Sequence, residues 1–165
     1  MTGTQKNIEI DKNEIGKLSA EMTYRHYLMN KGKFNQIFKK LTIPEYIALH
    51  IVASQSTASD HGSPKVYLRK LAEKMELEIY QASKVAGDLK DRGLVLWSHD
   101  GNGNEGTYVI LTETGERWLQ EQEEILKEYY GTIIKTFGKE NFIELLQQMK
   151  KFDDVMNSVL EEKEQ

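Results

Sequence analysis

Four polar residues that can hydrogen-bond or carry charge follow Ile79, in a stretch with the spacing of a helix. They are Tyr80, Gln81, Ser83 and Lys84. Glutamine can pair with an adenine base through two hydrogen bonds, serine and tyrosine can reach bases or phosphates, and lysine supplies a positive charge. A helix that reads base edges in the major groove of DNA uses this chemistry, so we predict DNA contact here. An ordinary solvated helix face is the alternative.

Basic residues that could hold DNA phosphates lie in the same part of the chain. They are Lys65, Arg69, Lys70, Lys74 and Arg92. Between Gly62 and Val95, seven basic residues stand against five acidic ones, a local net charge of +2, whereas the whole chain carries −4 and has a pI near 5.6. DNA binding would therefore depend on local charge, and any one of these cations could equally be a solvated surface group.

The sequence contains no pattern typical of catalysis or of a metal site. It has no cysteine, no phosphate-binding glycine loop followed by lysine, no HExxH motif and no nucleophile elbow. His26 and His50 could approach each other across two helices, but without a close histidine pair in one helix we expect neither a metal nor another cofactor. No segment is apolar enough for a secretory signal or a membrane span, so we expect a cytoplasmic protein that is not an enzyme.

The N-terminal part of the chain has the spacing of two helices. Apolar residues recur every three or four positions from Asn13 to about Lys31. Thr42 and Pro44 form a start signal for a second helix, because threonine can cap the open amides and proline is tolerated in a first turn. The turn-rich segment SQSTASDHGSP should then form a surface loop.

Two short helices and a β-hairpin follow in the middle of the chain. The second of these helices starts at Ile79 and is closed by Gly93. Strands predicted at Leu94 to His99 and at Thr107 to Leu111 flank the tip DGNGNEG, whose glycines and asparagines adopt positive φ readily. Gly87 lies inside the second helix, where we expect close packing beside the preceding alanine.

The C-terminal part should form two long helices. Thr112 can cap the first, and Gly138 separates it from the last. Apolar residues in the last helix alternate spacings of three and four, which is a heptad seam. Its members are Phe142, Leu145, Met149, Phe152, Met156 and Val159. Such a stripe is too apolar to leave in water, so we expect another protein surface to cover it.

A resemblance to the MarR family of bacterial transcription regulators is carried by the segment LRKLAEKMELEIYQASKVAGDLKDRGLVLWSHDGNGNEGTYVILTETG. In that family a leucine near the end of the recognition helix precedes a glycine by four positions, a short hydrophobic strand follows, and the returning wing strand ends in Leu-Thr before a glycine. The residues that fit are Leu89, Gly93, Leu94, Val95, Leu111, Thr112 and Gly115. The resemblance covers Asn13 to Leu160. It implies a mainly α fold with a small β-hairpin wing (α+β), namely a winged helix-turn-helix with dimerisation helices at both ends.

The resemblance also implies how the chain is organised and what it binds. Residues 1–41 would form an N-terminal arm and the first dimerisation helix, 42–112 the DNA-binding lobe, and 113–165 the C-terminal dimerisation helices. The first, fifth and sixth helices of two chains would intertwine, so that the homodimer binds an inverted repeat in double-stranded DNA and acts as a repressor. The predicted dimer contacts are Ile15, Leu18, Met22, Ile133, Phe142, Leu145, Met149 and Phe152.

MarR-like regulators often bind small phenolic or aromatic molecules between the dimer-forming helices and the DNA-binding lobe. This chain has aromatic and imidazole side chains in its first two helices that would suit such a cleft. The candidate ligand contacts are Tyr24, His26, Tyr27, Phe38, Tyr46 and His50. The alternative is that these side chains are ordinary core residues.

The wing tip departs from the family, which commonly places an arginine there to enter the minor groove. Residues 100–106 include no cation, so Asn102 and Asn104 are predicted as weaker DNA contacts. The acidic tip and the negative net charge also support a second hypothesis, a winged-helix module that contacts another protein and binds DNA weakly or not at all.

Overall fold

The structure of the protein is a computed structural model that describes residues 9–55, 64–101 and 103–164, without the side chain of Asn104. The chain forms two compact units, residues 1–43 and residues 44–165. The described ranges are mainly helical with one small antiparallel sheet, as the sequence predicts. Residues 56–63 of the predicted turn-rich loop lie outside these ranges.

The first unit contains helix α1 (Lys12–Asn30) and a short 3₁₀ helix (Lys33–Ile37). α1 begins and ends within one residue of its predicted limits. No residue of α1 is buried, and its apolar members Ile15, Leu18 and Met22 are 49–59% exposed. Within the described residues, the apolar stripe of α1 is therefore not part of a buried core.

The remaining elements run from the start of the second unit to the C-terminus. They are α2 (Ile43–Ser54), β1 (Lys65–Tyr67), α3 (Leu68–Met75), α4 (Ile79–Asp91), β2 (Val95–His99), β3 (Thr107–Leu111), α5 (Glu113–Phe137) and α6 (Lys139–Glu164). The strand order is β1-β3-β2, and both pairs are antiparallel. The hairpin of β2 and β3 is the predicted wing, and its tip contains a short 3₁₀ turn (Gly103–Glu105).

The core of the second unit is built from leucine and valine side chains on one face of each element. Its largest fully buried members are Leu49, Leu71, Leu89, Leu94, Val52, Val95 and Val109. They come from α2, α3, α4 and the sheet, so burial of their apolar area fixes the two short helices against the wing. Helix α4, which carries the four predicted DNA contacts, is thus packed against the core on its opposite face.

The turn between α3 and α4 is tight because one residue adopts the left-handed conformation. Glu76 has φ 53° and ψ 43°, and the Leu77 amide donates to the Ala72 carbonyl at 3.0 Å. This pattern ends a helix abruptly. α4 can then start at Ile79, after the extended Glu78.

A set of hydrogen bonds joins the end of α4 to the start of α5, and we call it the α4–α5 joint. Gly93 (φ 72°) turns the chain out of α4. The Thr112 hydroxyl donates to the Gly93 carbonyl at 2.7 Å and accepts from the Gly115 amide at 3.0 Å, while the Thr112 amide donates to the Leu94 carbonyl at 3.2 Å. The predicted capping role of Thr112 is confirmed.

The two C-terminal helices differ in how much of their surface the chain itself covers. α5 buries Gly115, Leu119 and Gln122, whereas no residue of α6 is buried. None of the helices within the described ranges is long and apolar enough to cross a membrane.

Candidate nucleic-acid interface

Helix α4 has one buried face and one exposed face. Ala82, Ala86 and Leu89 are buried, Ser83 is half-buried, and Tyr80 is 70% exposed. Lys84 and Gln81 are also exposed. The four predicted DNA contacts are therefore at least partly accessible, as entry into a groove requires; contact with DNA itself stays a prediction.

Gln81 already has a partner inside the protein. Its side-chain oxygen accepts a hydrogen bond from the Glu78 amide at 3.0 Å, and the Glu78 side chain accepts one from the Gln81 amide. These reciprocal bonds form a capping box, which satisfies amides that the first turn of a helix leaves open. Two-point pairing of Gln81 with adenine would require its side-chain oxygen either to accept a second hydrogen bond or to give up the one from the Glu78 amide. The sequence does contain a signal for this, since glutamine three residues after a capping position is typical of the motif.

Gly87 does not pack closely against its own chain, so the expectation of tight packing beside Ala86 was wrong. A Cβ atom built at Gly87 meets nothing within 4 Å in the described part of the protein. Gly87 follows Lys84 by three positions and Tyr80 by seven, so it shares their side of the helix. The structure leaves a gap on the face that is predicted to approach DNA.

Most of the predicted phosphate-binding cations have a partner on the protein surface. Lys70 Nζ lies 3.1 Å from Glu73 Oε1, and Lys65 Nζ lies 4.9 Å from the centre of the Tyr108 ring. Arg69 Nη1 lies 2.8 Å from Glu105 Oε1 in the wing. Surface pairs of this kind are weak, so these cations could exchange their partners for phosphates.

Arg92 has a structural role that the sequence did not reveal. It forms an ion pair with Glu45 of α2, which is only 8% exposed, and its guanidinium lies 5.8 Å from the centre of the Trp118 ring. A carboxylate that is this buried needs a compensating charge. Arg92 is thereby committed to holding α2, α4 and α5 together, and its predicted contact with DNA is untested.

The wing tip is held to the lobe by its acidic residues. The Tyr67 hydroxyl donates to Asp100 Oδ2 at 2.9 Å, and this bond raises the pKa of Tyr67. His99 Nδ1 accepts from the Gly101 amide at 2.9 Å, so its ring proton sits on Nε2, which contacts the Gly103 carbonyl. Of the two asparagines predicted as DNA contacts, Asn102 and the side chain of Asn104 lie outside the described part of the structure.

A small polar cluster joins α2 to α5 in the second unit. The Tyr46 and His50 rings stack with their centres 6.0 Å apart, and His50 Nδ1 lies 3.4 Å from Glu123 Oε1. Burial, and then the nearby Glu123 charge, raise the pKa of Tyr46. Two of the six predicted ligand contacts are thus brought together, and beside them lies the Glu123 carboxylate, which no local sequence pattern predicts there.

The other four predicted ligand contacts belong to the first unit. Tyr24 and Tyr27 are more than half exposed, His26 Nε2 lies 2.9 Å from Asn30 Nδ2, and Phe38 packs edge-on against Phe34 with ring centres 5.4 Å apart. Their role in ligand binding stays a prediction. In the described part of the chain, no group of three or more acidic or histidine side chains could hold a metal ion.

The predicted dimer contacts of the C-terminal helices are also accessible in a single chain. Leu145, Met149 and Phe152 are 43–45% exposed, and Phe142 and Ile133 are half-buried. We call the line of Phe142, Leu145, Met149, Phe152, Met156 and Val159 along α6 the α6 seam.

A helix-turn-helix followed by an antiparallel hairpin defines the winged-helix class of fold. Solved structures of MarR family regulators share this chain's version of that fold. NMB1585, a MarR family regulator from Neisseria meningitidis, is 19% identical, with a TM-score of 0.63 over 91% of this chain and 98% of its own. The PcaV transcriptional regulator from Streptomyces coelicolor, solved in complex with its natural ligand, is 18% identical, with a TM-score of 0.64 over 84% and 91%.

A third similar structure concerns the regulation of DNA binding of BpsR from Bordetella bronchiseptica by 6-hydroxynicotinic acid. It is 18% identical, with a TM-score of 0.57 over 85% of this chain and 93% of its own. No protein-family profile matches the sequence, and no curated protein sequence matches it. At these identities the likeness establishes a MarR-like winged-helix fold and nothing finer.

Proposed function

We propose that this protein is a DNA-binding transcription regulator of the MarR type. The observation that carries the proposal is helix α4, whose apolar side is buried in the lobe while Tyr80 and Lys84 face outward. A helix presented in this way fits the major groove of B-DNA. The surrounding cations Lys65, Arg69 and Lys70 would hold phosphates and fix its register.

The regulator acts as a homodimer that places two α4 helices in successive major grooves. The apolar residues that α1 and α6 leave exposed support this, since a stripe of that size is normally covered by another protein surface. A two-fold dimer recognises an inverted repeat with half-sites about one helical turn apart. Bound at a promoter, it blocks transcription.

A small phenolic or aromatic molecule releases the regulator from DNA. The stacked Tyr46 and His50 rings offer such a molecule a flat surface with polar groups at its edge. Of the similar structures, that of PcaV was solved in complex with its natural ligand, and that of BpsR concerns regulation of its DNA binding by 6-hydroxynicotinic acid. A thermal-shift screen with phenols and aromatic acids would find the ligand as a rise in melting temperature.

Binding to the promoter beside the protein's own gene tests DNA binding directly. We expect a retarded band at low salt and an affinity that falls steeply as salt rises. Lys84→Ala should weaken binding and reduce the slope of log K against log salt by about 1. Lys150→Ala, which removes the same charge from α6, should leave both unchanged.

The same experiment separates the regulator from a protein-interaction module. The acidic wing tip, in which Asp100 and Glu105 contact the lobe, favours that second candidate. If the folded, dimeric protein gives no retarded band at low salt, the regulator proposal fails. If the double variant Gln81→Ala, Lys84→Ala binds as tightly as the unchanged protein, α4 is not the reading helix.

A further inference from the structure

An ion pair links the start of α3 to the wing tip. Arg69 Nη1 lies 2.8 Å from Glu105 Oε1, and the two side chains are 68% and 67% exposed. The partners are far apart in the sequence, so the folded wing brings them together. The positive charge of Arg69, one of the predicted phosphate contacts, is therefore already paired within the protein.

A backbone hydrogen bond in the wing and a contact between Tyr67 and Asp100 keep Glu105 near Arg69. The Asp100 amide donates to the Gly106 carbonyl at 3.0 Å, which closes the tip, and the Tyr67 hydroxyl donates to Asp100 at 2.9 Å. Tyr67 precedes Arg69 by two residues, so the tip is fastened on both sides to the same corner of the lobe. The fold of the hairpin therefore places the backbone of Glu105 where its carboxylate can reach Arg69.

A carboxylate and a phosphate compete for the same guanidinium, because both present oxygen atoms that accept its N–H groups. We infer that Glu105 is an internal competitor for Arg69 that lowers the affinity of this protein for DNA. The inference rests on the proposed function and deepens it. In the free protein the wing carboxylate occupies Arg69, and in the complex it keeps the guanidinium from pairing with a phosphate.

The exposure of the pair sets the size of the effect. Exposed ion pairs contribute little, so Glu105 tunes the affinity of the lobe without abolishing binding. Freeing Arg69 should tighten binding by about two- to fivefold at low salt. It should also steepen the slope of log K against log salt by about 0.9, because one more phosphate contact releases one more counterion.

Glu105→Gln in the full-length protein is the test, with fluorescence anisotropy on the promoter fragment at several salt concentrations. We expect tighter binding and the steeper slope. The matched control is Glu124→Gln on α5, because Glu124 forms a similarly exposed pair with Lys127 at 2.7 Å. It removes the same charge and should leave both quantities unchanged.

Arg69→Ala distinguishes competition for Arg69 from a general loss of negative charge in the wing. In the Arg69→Ala background, Glu105→Gln should change neither the affinity nor the slope. If the gain from Glu105→Gln persists without Arg69, or never appears although the unchanged protein binds DNA, the inference is overturned and the proposed function stands. If neither the unchanged protein nor Glu105→Gln binds at low salt, the proposed function fails and the inference fails with it.

Discussion

At the scale of single residues, several side chains have two possible partners, one inside the protein and one in DNA. Gln81 caps its own helix, and Arg69 pairs with the wing. Residue type alone favours DNA contact for both, because amide and guanidinium groups are good base and phosphate ligands. The structure adds that contact with DNA at these positions would compete with a bond already made inside the protein, which would lower the net gain from each contact.

Gly87→Ala should have opposite effects on stability and on DNA binding. Alanine is about 1 kcal/mol better than glycine inside a helix, and no described atom obstructs its methyl group, so the melting temperature should rise by about 2–4 °C. The same methyl group projects on the side of Tyr80 and Lys84, so DNA affinity should fall. Thermal unfolding and anisotropy measure the two effects.

Gly115→Ala should change the stability in the opposite direction to Gly87→Ala. A Cβ atom there would overlap the Leu94 carbonyl oxygen, so this substitution should lower the melting temperature. A Gly87→Ala protein that is less stable than the unchanged one would show that the gap beside Gly87 is not open. A protein that is more stable and binds DNA equally well would show that the DNA backbone does not approach the helix there.

At the scale of elements, the sequence predicted the helices and strands well but not the contacts between them. The periodic apolar spacing defined α1, α4 and α6, and Gly93 and Thr112 marked the α4–α5 joint. Local patterns of this kind follow from backbone geometry and the hydrophobic period. The pairing of Arg92 with Glu45 joins residues far apart in the chain, and no local pattern encodes it.

Arg92→Ala should destabilise the fold more than the loss of an ordinary surface cation does. It leaves the Glu45 carboxylate buried without its partner. Because the Arg92 side chain is itself 35% exposed, water moderates the loss, and we expect about 1–3 kcal/mol. Urea denaturation at fixed protein concentration measures it.

The double variant Glu45→Gln, Arg92→Ala shows whether loss of the Arg92–Glu45 ion pair causes the loss of stability. Removing the carboxylate charge should restore part of the stability that Arg92→Ala loses. Equal stability of the single and double variants would contradict the assigned role of Arg92. Lys84→Ala, which removes an exposed cation from the same helix, should change the unfolding free energy by less than about 0.5 kcal/mol.

At the scale of the whole molecule, the exposed apolar side chains of α6 are the main feature that packing within one chain does not explain. The heptad spacing predicted an apolar stripe, and within the described residues no side chain of α6 is buried. Its coverage could not be deduced from the sequence of one copy alone, because spacing shows that a face is apolar and not what lies against it. A second copy is the occupant that the proposed function requires.

Met149→Glu in the middle of the α6 seam should convert the proposed homodimer into monomers. A charge placed in an apolar interface has to be desolvated without a partner, which costs several kcal/mol. Analytical ultracentrifugation at micromolar concentration measures the change. Gln147→Glu adds the same charge to α6 away from the seam and should remain dimeric; a dimeric Met149→Glu protein would place the interface elsewhere.

The α4–α5 joint couples the two helices, so that a movement of one is passed to the other. Thr112 ties the exit of α4 to the entry of α5, and the absence of a side chain at Gly115 lets the backbones touch. Farther along α5, Glu123 contacts His50. A molecule that displaced Glu123 would move α5, and the joint would pass that movement on to α4 and its exposed side chains Tyr80 and Lys84.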